Sequence, residues 1–267
     1  MPDAEPPPVT AVDFARWKAE RRKVAMLTAY DHSMARLLDA SGVDALLVGD
    51  SLGMVVQGRD SPLPVTMDQM VYHAEMVARG AKHALVIVDM PYLSYHISIE
   101  EALRNAGRFL KETGCGAVKL EGGRRMGPTI RALVEAEIPV VGHVGLTPQS
   151  VRRLGGFKVQ RDGPAILDDA RAVAEAGAFA VVLECIPAEL AARITVEIPA
   201  STIGIGAGPG CDGQVLVTPD LLGLFDGFRP KFVRRYAELG ELARRAAASY
   251  IEDVRAGAFP TPDESFR

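Results

Sequence analysis

A chain of 267 residues is long enough for one α/β barrel or two smaller domains. Its 48% hydrophobic and 24% charged residues are those of an ordinary globular protein, and a net charge of −4 argues against a nucleic-acid groove or an anionic membrane as main partner. No run of about 18 apolar residues is present to span a bilayer. The three scattered cysteines, Cys115, Cys185 and Cys211, form neither a CxxC pair nor an even framework, which fits a reduced cytoplasm.

In chain order, the opening PDAEPPP is proline-rich and acidic and lacks the basic and apolar regions of a signal peptide, so residues 1–10 read as a disordered lead-in. Residues 14–23, with Phe14 and Trp17, read as a helix closing the bottom of a barrel. Strand-like runs follow: KVAMLTAY from Lys23, then DALLVGD, HALVIVD, GAVKLE, IPVVGHVG, FAVVLE, STIGIGAG and a weaker PKFVRRY from Pro230. Their near-continuous Val, Ile and Leu suit parallel strands covered on both faces.

Helical segments lie between most of them. Thr66 with Gln69 makes a capping box, Met67, Met70, Val71, Ala74, Val77 and Ala78 give one apolar face, and Gly80 supplies a left-handed stop. Ser98 with Glu101 opens a second such helix that ends at Gly114; residues 168–177 and 218–227 repeat the pattern. Eight strands with helices between predict a single (β/α)8 TIM barrel over residues 1–267, with no linker; a doubly wound sheet is the alternative. A late stripe, Leu239, Leu242, Ala243, Ala246, Ala247, Tyr250, Ile251 and Val254, reads as core packing or a subunit contact.

Four of the apolar runs end in an acid: Asp50, Asp89, Glu121 and Glu184. One such acid is a strand-end cap, but four from separated strands predict a convergent site for a hard cation at the rim where α/β folds keep their functional groups. Carboxylates with open positions left for substrate and water suit Mg2+. After Asp50, Ser51 offers a hydroxyl and an amide to an anion, and the chain turns through Gly53 towards Gly58. Lys119 and Glu121 stand two apart on one strand and face the same side. They form either a structural ion pair or a substrate-carboxylate grip beside the metal waters. His143, between glycines at the fifth strand end, is a candidate pocket group, and Glu184, flanked by Leu183 and Cys185, suits a general base. His32 and His96 lie in rim loops without an assigned role, and His73 and His83 read as structural. The run GIGAGPGCDGQ lacks the P-loop lysine and reads as a tight turn lining the pocket.

Together these segments closely resemble the ketopantoate hydroxymethyltransferase (3-methyl-2-oxobutanoate hydroxymethyltransferase) family. The match runs in order through MLTAYD (Met26 to Asp31), VGDSLGMVVQG, VDMPY, VKLEGG, GHVGLTPQS, LECIP and GIGAGPGCDGQVLV, about residues 14 to 256. One departure is KVQRDG, where Arg161 stands in place of an expected glycine. The resemblance implies a barrel of the phosphoenolpyruvate/pyruvate type, with Asp50 and Asp89 binding one Mg2+ per subunit. Glu121 then joins the metal site, directly or through water. Asp50, Ser51, Asp89, Lys119 and His143 would hold a small 2-oxo acid, and Glu184 would be the proton acceptor. It also implies 5,10-methylenetetrahydrofolate as co-substrate and a cytoplasmic homo-oligomer, commonly a decamer. Two rival readings remain: a mutase or lyase of the phosphoenolpyruvate mutase and isocitrate lyase type, which lacks its KKCGH-like loop here, and a non-catalytic oxo-acid sensor.

Overall fold

The structure, a computed structural model, describes residues 7–224, 227 and 229–266. By Cα proximity the chain divides into two compact units, Met1–Leu216 and Val217–Arg267. In the first, eight parallel strands close into a barrel in sequence order. They are β1 (Val24–Thr28), β2 (Ala45–Val48), β3 (Leu85–Asp89), β4 (Ala117–Glu121), β5 (Val140–Gly145), β6 (Ala180–Glu184), β7 (Ser201–Ile205) and β8 (Gly213–Leu216). The helices of this unit are α1 (Ala11–Ala19), α2 (His32–Ala40), α3 (Leu52–Val55), α4 (Met67–Gly80), α5 (Ile99–Arg108), α6 (Gly127–Glu135), α7 (Val151–Leu154), α8 (Gly163–Glu175) and α9 (Ala188–Glu197). The second unit holds α10 (Thr218–Leu221) and α11 (Leu239–Ala256).

The period-two alternation of side chains decides what fills the barrel. Leu85 and Ile87 from β3, Ala117 from β4, Val141 from β5 and Ala180 and Val182 from β6 share one buried cluster with Phe14 and Trp17 of α1. The helix expected near residues 14–23 therefore starts at Ala11, and its two aromatic side chains do pack into the barrel's interior core. Two residues further along the same inward series stand Asp89, Lys119, His143 and Glu184, with Glu121 one step beyond Lys119. Each inward file is thus apolar at its start and charged at its C-terminal end. A second cluster, including Val48, Val88, Leu120, Val144 and Leu183 from the outward files, packs against the surrounding helices.

Several local expectations need correction. The eighth strand is Gly213–Leu216, and PKFVRRY forms no strand. Backbone pairing of Val24 with Gly213 through Leu27 with Leu216 closes the ring. A Cβ at Gly213 would lie 2.5 Å from Val24 O, so only glycine lets β8 seat there. Gly80 is not a left-handed stop: it is the last residue of α4, and a Cβ on it would meet His32 O at 2.6 Å and Ala35 Cβ at 2.8 Å. Its role is close approach of α4 to α2. The helix expected from Asp168 begins at Gly163, capped by Asp162, and the one expected to reach Gly227 ends at Leu221. Both capping expectations at Thr66 and Ser98 are met, the side chain of each accepting from the backbone N–H three residues on. Of the expected lead-in, residues 1–6 lie outside the described residues. Val9 N donates to His83 O at 2.7 Å. α11 buries none of its residues, so its apolar stripe does not serve as core.

Candidate active site

The strand ends bring the expected acids, the lysine and the histidine together. Asp89 pairs in register with Lys119 across β3 and β4, and Glu121 with His143 across β4 and β5. Asp50, Asp89, Lys119, Glu121 and His143 are all buried. Lys119 Nζ lies 2.8 Å from Asp89 Oδ1 and 3.2 Å from His143 Nδ1. His143 Nε2 lies 3.3 Å from Glu184 Oε2, and Nδ1 lies 3.6 Å from Glu121 Oε1. A continuous file of charge and imidazole therefore runs Asp89, Lys119, His143, Glu184.

An ammonium has donors only, so His143 Nδ1 must accept from Lys119, and the imidazole proton sits on Nε2, facing Glu184. Burial, then the Lys119 charge, pushes the histidine below its usual range, against the pull of Glu184, so the neutral ring is favoured. Glu184 ends its strand as expected, yet its carboxylate meets this imidazole and is not enclosed by apolar groups alone. Cys185 follows it with φ 48, a left-handed conformation that costs a non-glycine residue about 1 kcal/mol or more. Two backbone hydrogen bonds of 2.9 Å, Cys185 N to Ile205 O and Gln160 N to Cys185 O, hold it there and so fix the path of the chain after Glu184. Arg161, where a glycine was expected, is not among the positive-φ residues, so its side chain meets no left-handed backbone there.

The carboxylates are electrostatically overloaded. Burial, then repulsion from Asp89, raises the Asp50 carboxyl to about 7, against the opposing pull of Lys119 and a hydrogen bond from Gln149. Burial also raises Glu121 well above its usual range, Lys119 pulling it back while Asp50 and Asp89 add to the rise. For Lys119 burial works against the charge, but Asp89, Glu121 and Asp50 outweigh it and lift the ammonium above its usual value. Asp89 Oδ1 is buried with no aligned hydrogen-bond donor despite its charge contact with Lys119. Hard oxygen donors with surplus negative charge fit a divalent cation such as Mg2+. Among the described residues, no three His, Cys, Asp or Glu side chains are grouped so as to hold a metal by themselves.

Ser51 Oγ lies 2.9 Å from Tyr30 Oη at the end of β2, and Asp50 N donates to Asp89 Oδ2 at 3.1 Å. Of the other histidines, His73 Nδ1 donates to Tyr30 O at 2.6 Å, and the His96 ring packs on Tyr95 with centroids 4.0 Å apart. Sequence reasoning missed Tyr95 and Gln149, both buried here. Gln149 Nε2 donates to Asp50 Oδ2 at 2.8 Å and to Met90 O at 2.9 Å. Its position inside the GHVGLTPQS segment was the only available signal. An outer cleft of about 470 Å³ touching Ile99, Arg124, Arg131, Glu135 and Glu175 contains none of these groups and is not the site.

Comparison with known proteins bears on this geometry. The sequence pattern of the family described as ketopantoate hydroxymethyltransferase matches residues 8–262. A protein named 3-methyl-2-oxobutanoate hydroxymethyltransferase from Syntrophus aciditrophicus is 57% identical over 253 residues, 93% of each chain. One of the same name from Pelobacter propionicus is 55% identical over 97% of each. Among solved structures, 2,3-dimethylmalate lyase, a member of the PEP mutase/isocitrate lyase superfamily, aligns with a TM-score of 0.57 over 96% of this chain and 91% of its own, at 18% identity. That likeness concerns the fold alone. Among the described residues no helix is long and apolar enough to cross a membrane.

Proposed function

Because this chain belongs to the ketopantoate hydroxymethyltransferase family, we propose that it transfers a hydroxymethyl group from 5,10-methylenetetrahydrofolate to 3-methyl-2-oxobutanoate. The product is 2-dehydropantoate (ketopantoate), on the way to pantothenate and coenzyme A. The observation that carries the reading is the file from buried Asp89 through Lys119 and His143 to half-buried Glu184, which would set a cation-seeking carboxylate pair at one end and a proton acceptor at the other.

Asp50 and Asp89 would hold one Mg2+, with Glu121 reaching it through water. When bound, the ion supplies the positive charge that stabilises the anion developing on the 2-oxo oxygen. Lys119 hydrogen-bonds His143 and lies in charge contact with Asp89, and it would offer a remaining N–H to the substrate carboxylate, together with the Ser51 hydroxyl. Glu184 removes the C3 proton. The resulting carbanion forms a C–C bond to the one-carbon unit as one C–N bond of the folate opens. Water then supplies the hydroxyl as the second C–N bond breaks, releasing tetrahydrofolate. Burial of the strand ends limits reprotonation of the anion by bulk water. The same reading has the chain working in the cytoplasm as a homodecamer with small-molecule partners only.

The test is proton NMR of 3-methyl-2-oxobutanoate in D2O with the protein, with and without Mg2+, before folate is added. Metal-dependent loss of the C3 proton signal is expected, followed by ketopantoate once the folate is supplied. Absence of both, or turnover of phosphoenolpyruvate or isocitrate without folate, would replace this reading with a mutase or lyase.

A pH prediction follows from Asp50. Its folded carboxyl, raised to about 7, keeps its proton while the unfolded chain ionises near the usual value, so its contribution to stability is full at low pH and lost as pH rises towards 7. A cation bound there must displace that proton, which weakens its binding roughly 30-fold at pH 5.5. Calorimetry should therefore show Mg2+ raising Tm more at pH 8 than at pH 5.5, by the equivalent of about 2 kcal/mol at saturating metal. Equal Tm increments at the two pH values would remove Asp50 from the ligand set.

A further inference from the structure

Gln149 sits in the short turn Pro148–Ser150 just after β5, buried, with every hydrogen-bonding group of its side chain engaged. Its Nε2 donates to Asp50 Oδ2 at 2.8 Å and to Met90 O at 2.9 Å. Its backbone N–H donates to Glu121 Oε2 at 2.9 Å. Its Oε1 accepts from Tyr95 Oη at 2.6 Å. From β5, one residue thus ties together the ends of β2, β3 and β4.

The amide orientation is fixed by chemistry. Met90 O and an ionised Asp50 can only accept, so the NH2 must face them and Oε1 must face the tyrosine. Tyr95 Oη in turn accepts from Glu121 N at 3.1 Å, which leaves its single proton for Oε1 at 2.6 Å ahead of Glu121 O at 3.2 Å. A closed circuit results: Glu121 N–H to Tyr95, Tyr95 O–H to Gln149, and Gln149 to Asp50 through its side chain and to Glu121 through its backbone. A glutamine that merely filled the core would be satisfied by main-chain groups. Of the three partners of this side chain one is a carboxylate of the site, and the main-chain N–H of the same residue holds a second.

On the reading of the site given above, we propose that Gln149, locked by Tyr95, is the positioning residue that orients Asp50 and Glu121 towards the metal. Its side-chain amide occupies one oxygen of Asp50, and its main-chain N–H, in the turn that this amide and Tyr95 anchor, occupies one of Glu121, which decides the oxygen of each that is presented to the cation. Asparagine would fall a methylene short of Asp50, glutamate would set a charge against it, and methionine would fill the space without donating. Outer groups of this kind typically set metal affinity by 10–100-fold.

The experiment titrates Mn2+ into the full-length protein without substrate and reads free Mn2+ by electron paramagnetic resonance, for wild type, Gln149→Met and Tyr95→Phe. C3 deuterium exchange is measured in parallel over a range of Mn2+ concentrations. Gln149→Met is expected to raise the Mn2+ Kd by about 10-fold or more and Tyr95→Phe by about threefold or more. In both, the exchange rate should climb back towards wild type at saturating Mn2+, since Glu184 is untouched. A role in packing alone would lower Tm and leave the Mn2+ Kd within twofold of wild type, and that result overturns the proposal. Should Gln149→Met fail to fold, Tyr95→Phe, which removes one oxygen, decides by the same criterion. Wild type that binds no Mn2+ and exchanges no proton would overturn the reaction itself, whereas wild-type exchange with unaltered variants overturns only the positioning role.

Discussion

Glu184→Gln is expected to lower turnover, and metal-dependent C3 exchange with it, by about 10²-fold or more while leaving oxo-acid affinity within a few-fold of wild type. Glutamine keeps the volume and leaves an amide oxygen near His143 Nε2 in place of the carboxylate that lies 3.3 Å away. What it cannot do is take a proton. The ground-state contacts through Ser51 and Lys119 stay in place, so the loss belongs to the transition state and shows in kcat more than in KM. Calorimetric titration with the oxo acid and NMR exchange in D2O measure the two parts separately. Exchange within tenfold of wild type would mean that a group other than Glu184 takes the C3 proton. Equal losses in affinity and rate would mean that Glu184 shapes the pocket and does not carry the proton.

Seven of the eight strands and all the strand-end acids were legible in the sequence, for one physical reason. A strand buried on both faces needs an unbroken apolar run, and a charge that interrupts it can survive only at the rim. Asp89, Lys119, Glu121 and Glu184 announce themselves in that way. The eighth strand did not, because it is four residues long, starts at a glycine and follows directly on a glycine-rich turn, while PKFVRRY offered a longer β-like run without a partner strand. Gly80 was misread because a sequence shows a glycine without showing the helix packed against it. Gln149 and Tyr95 were missed for a different reason. A neutral polar residue in a loop has no periodicity and no charge, and its worth lies in partners up to 99 positions away. For Lys119 the sequence leaves open a structural ion pair or a substrate grip; the structure shows its buried contacts with Asp89 Oδ1 at 2.8 Å and His143 Nδ1 at 3.2 Å, and the grip belongs to the proposed function.

That double duty makes Lys119→Met the more damaging change to the fold. The substitution removes the one cation among three buried carboxylates, Asp50, Asp89 and Glu121, and leaves His143 Nδ1 without its donor. Breaking a buried pair from one side costs about 3–5 kcal/mol, because the remaining charge is stranded in a low-dielectric interior. Methionine fills nearly the same volume, so little of the loss arises from a cavity. The pH dependence separates charge from packing. With Lys119 gone, the folded Asp50 and Glu121 carboxyls bind their protons more tightly still, so stability is retained at low pH, where they are neutral in both states, and lost as pH rises above the unfolded carboxylate range. Urea denaturation in the presence of EDTA should then show a deficit of about 3–5 kcal/mol at pH 8 that shrinks towards about 1 kcal/mol near pH 4.5. A deficit of the same size at both pH values would assign the cost to packing. A variant as stable as wild type at pH 8 would mean that the carboxylates share protons among themselves, and that Lys119 is retained for the substrate alone.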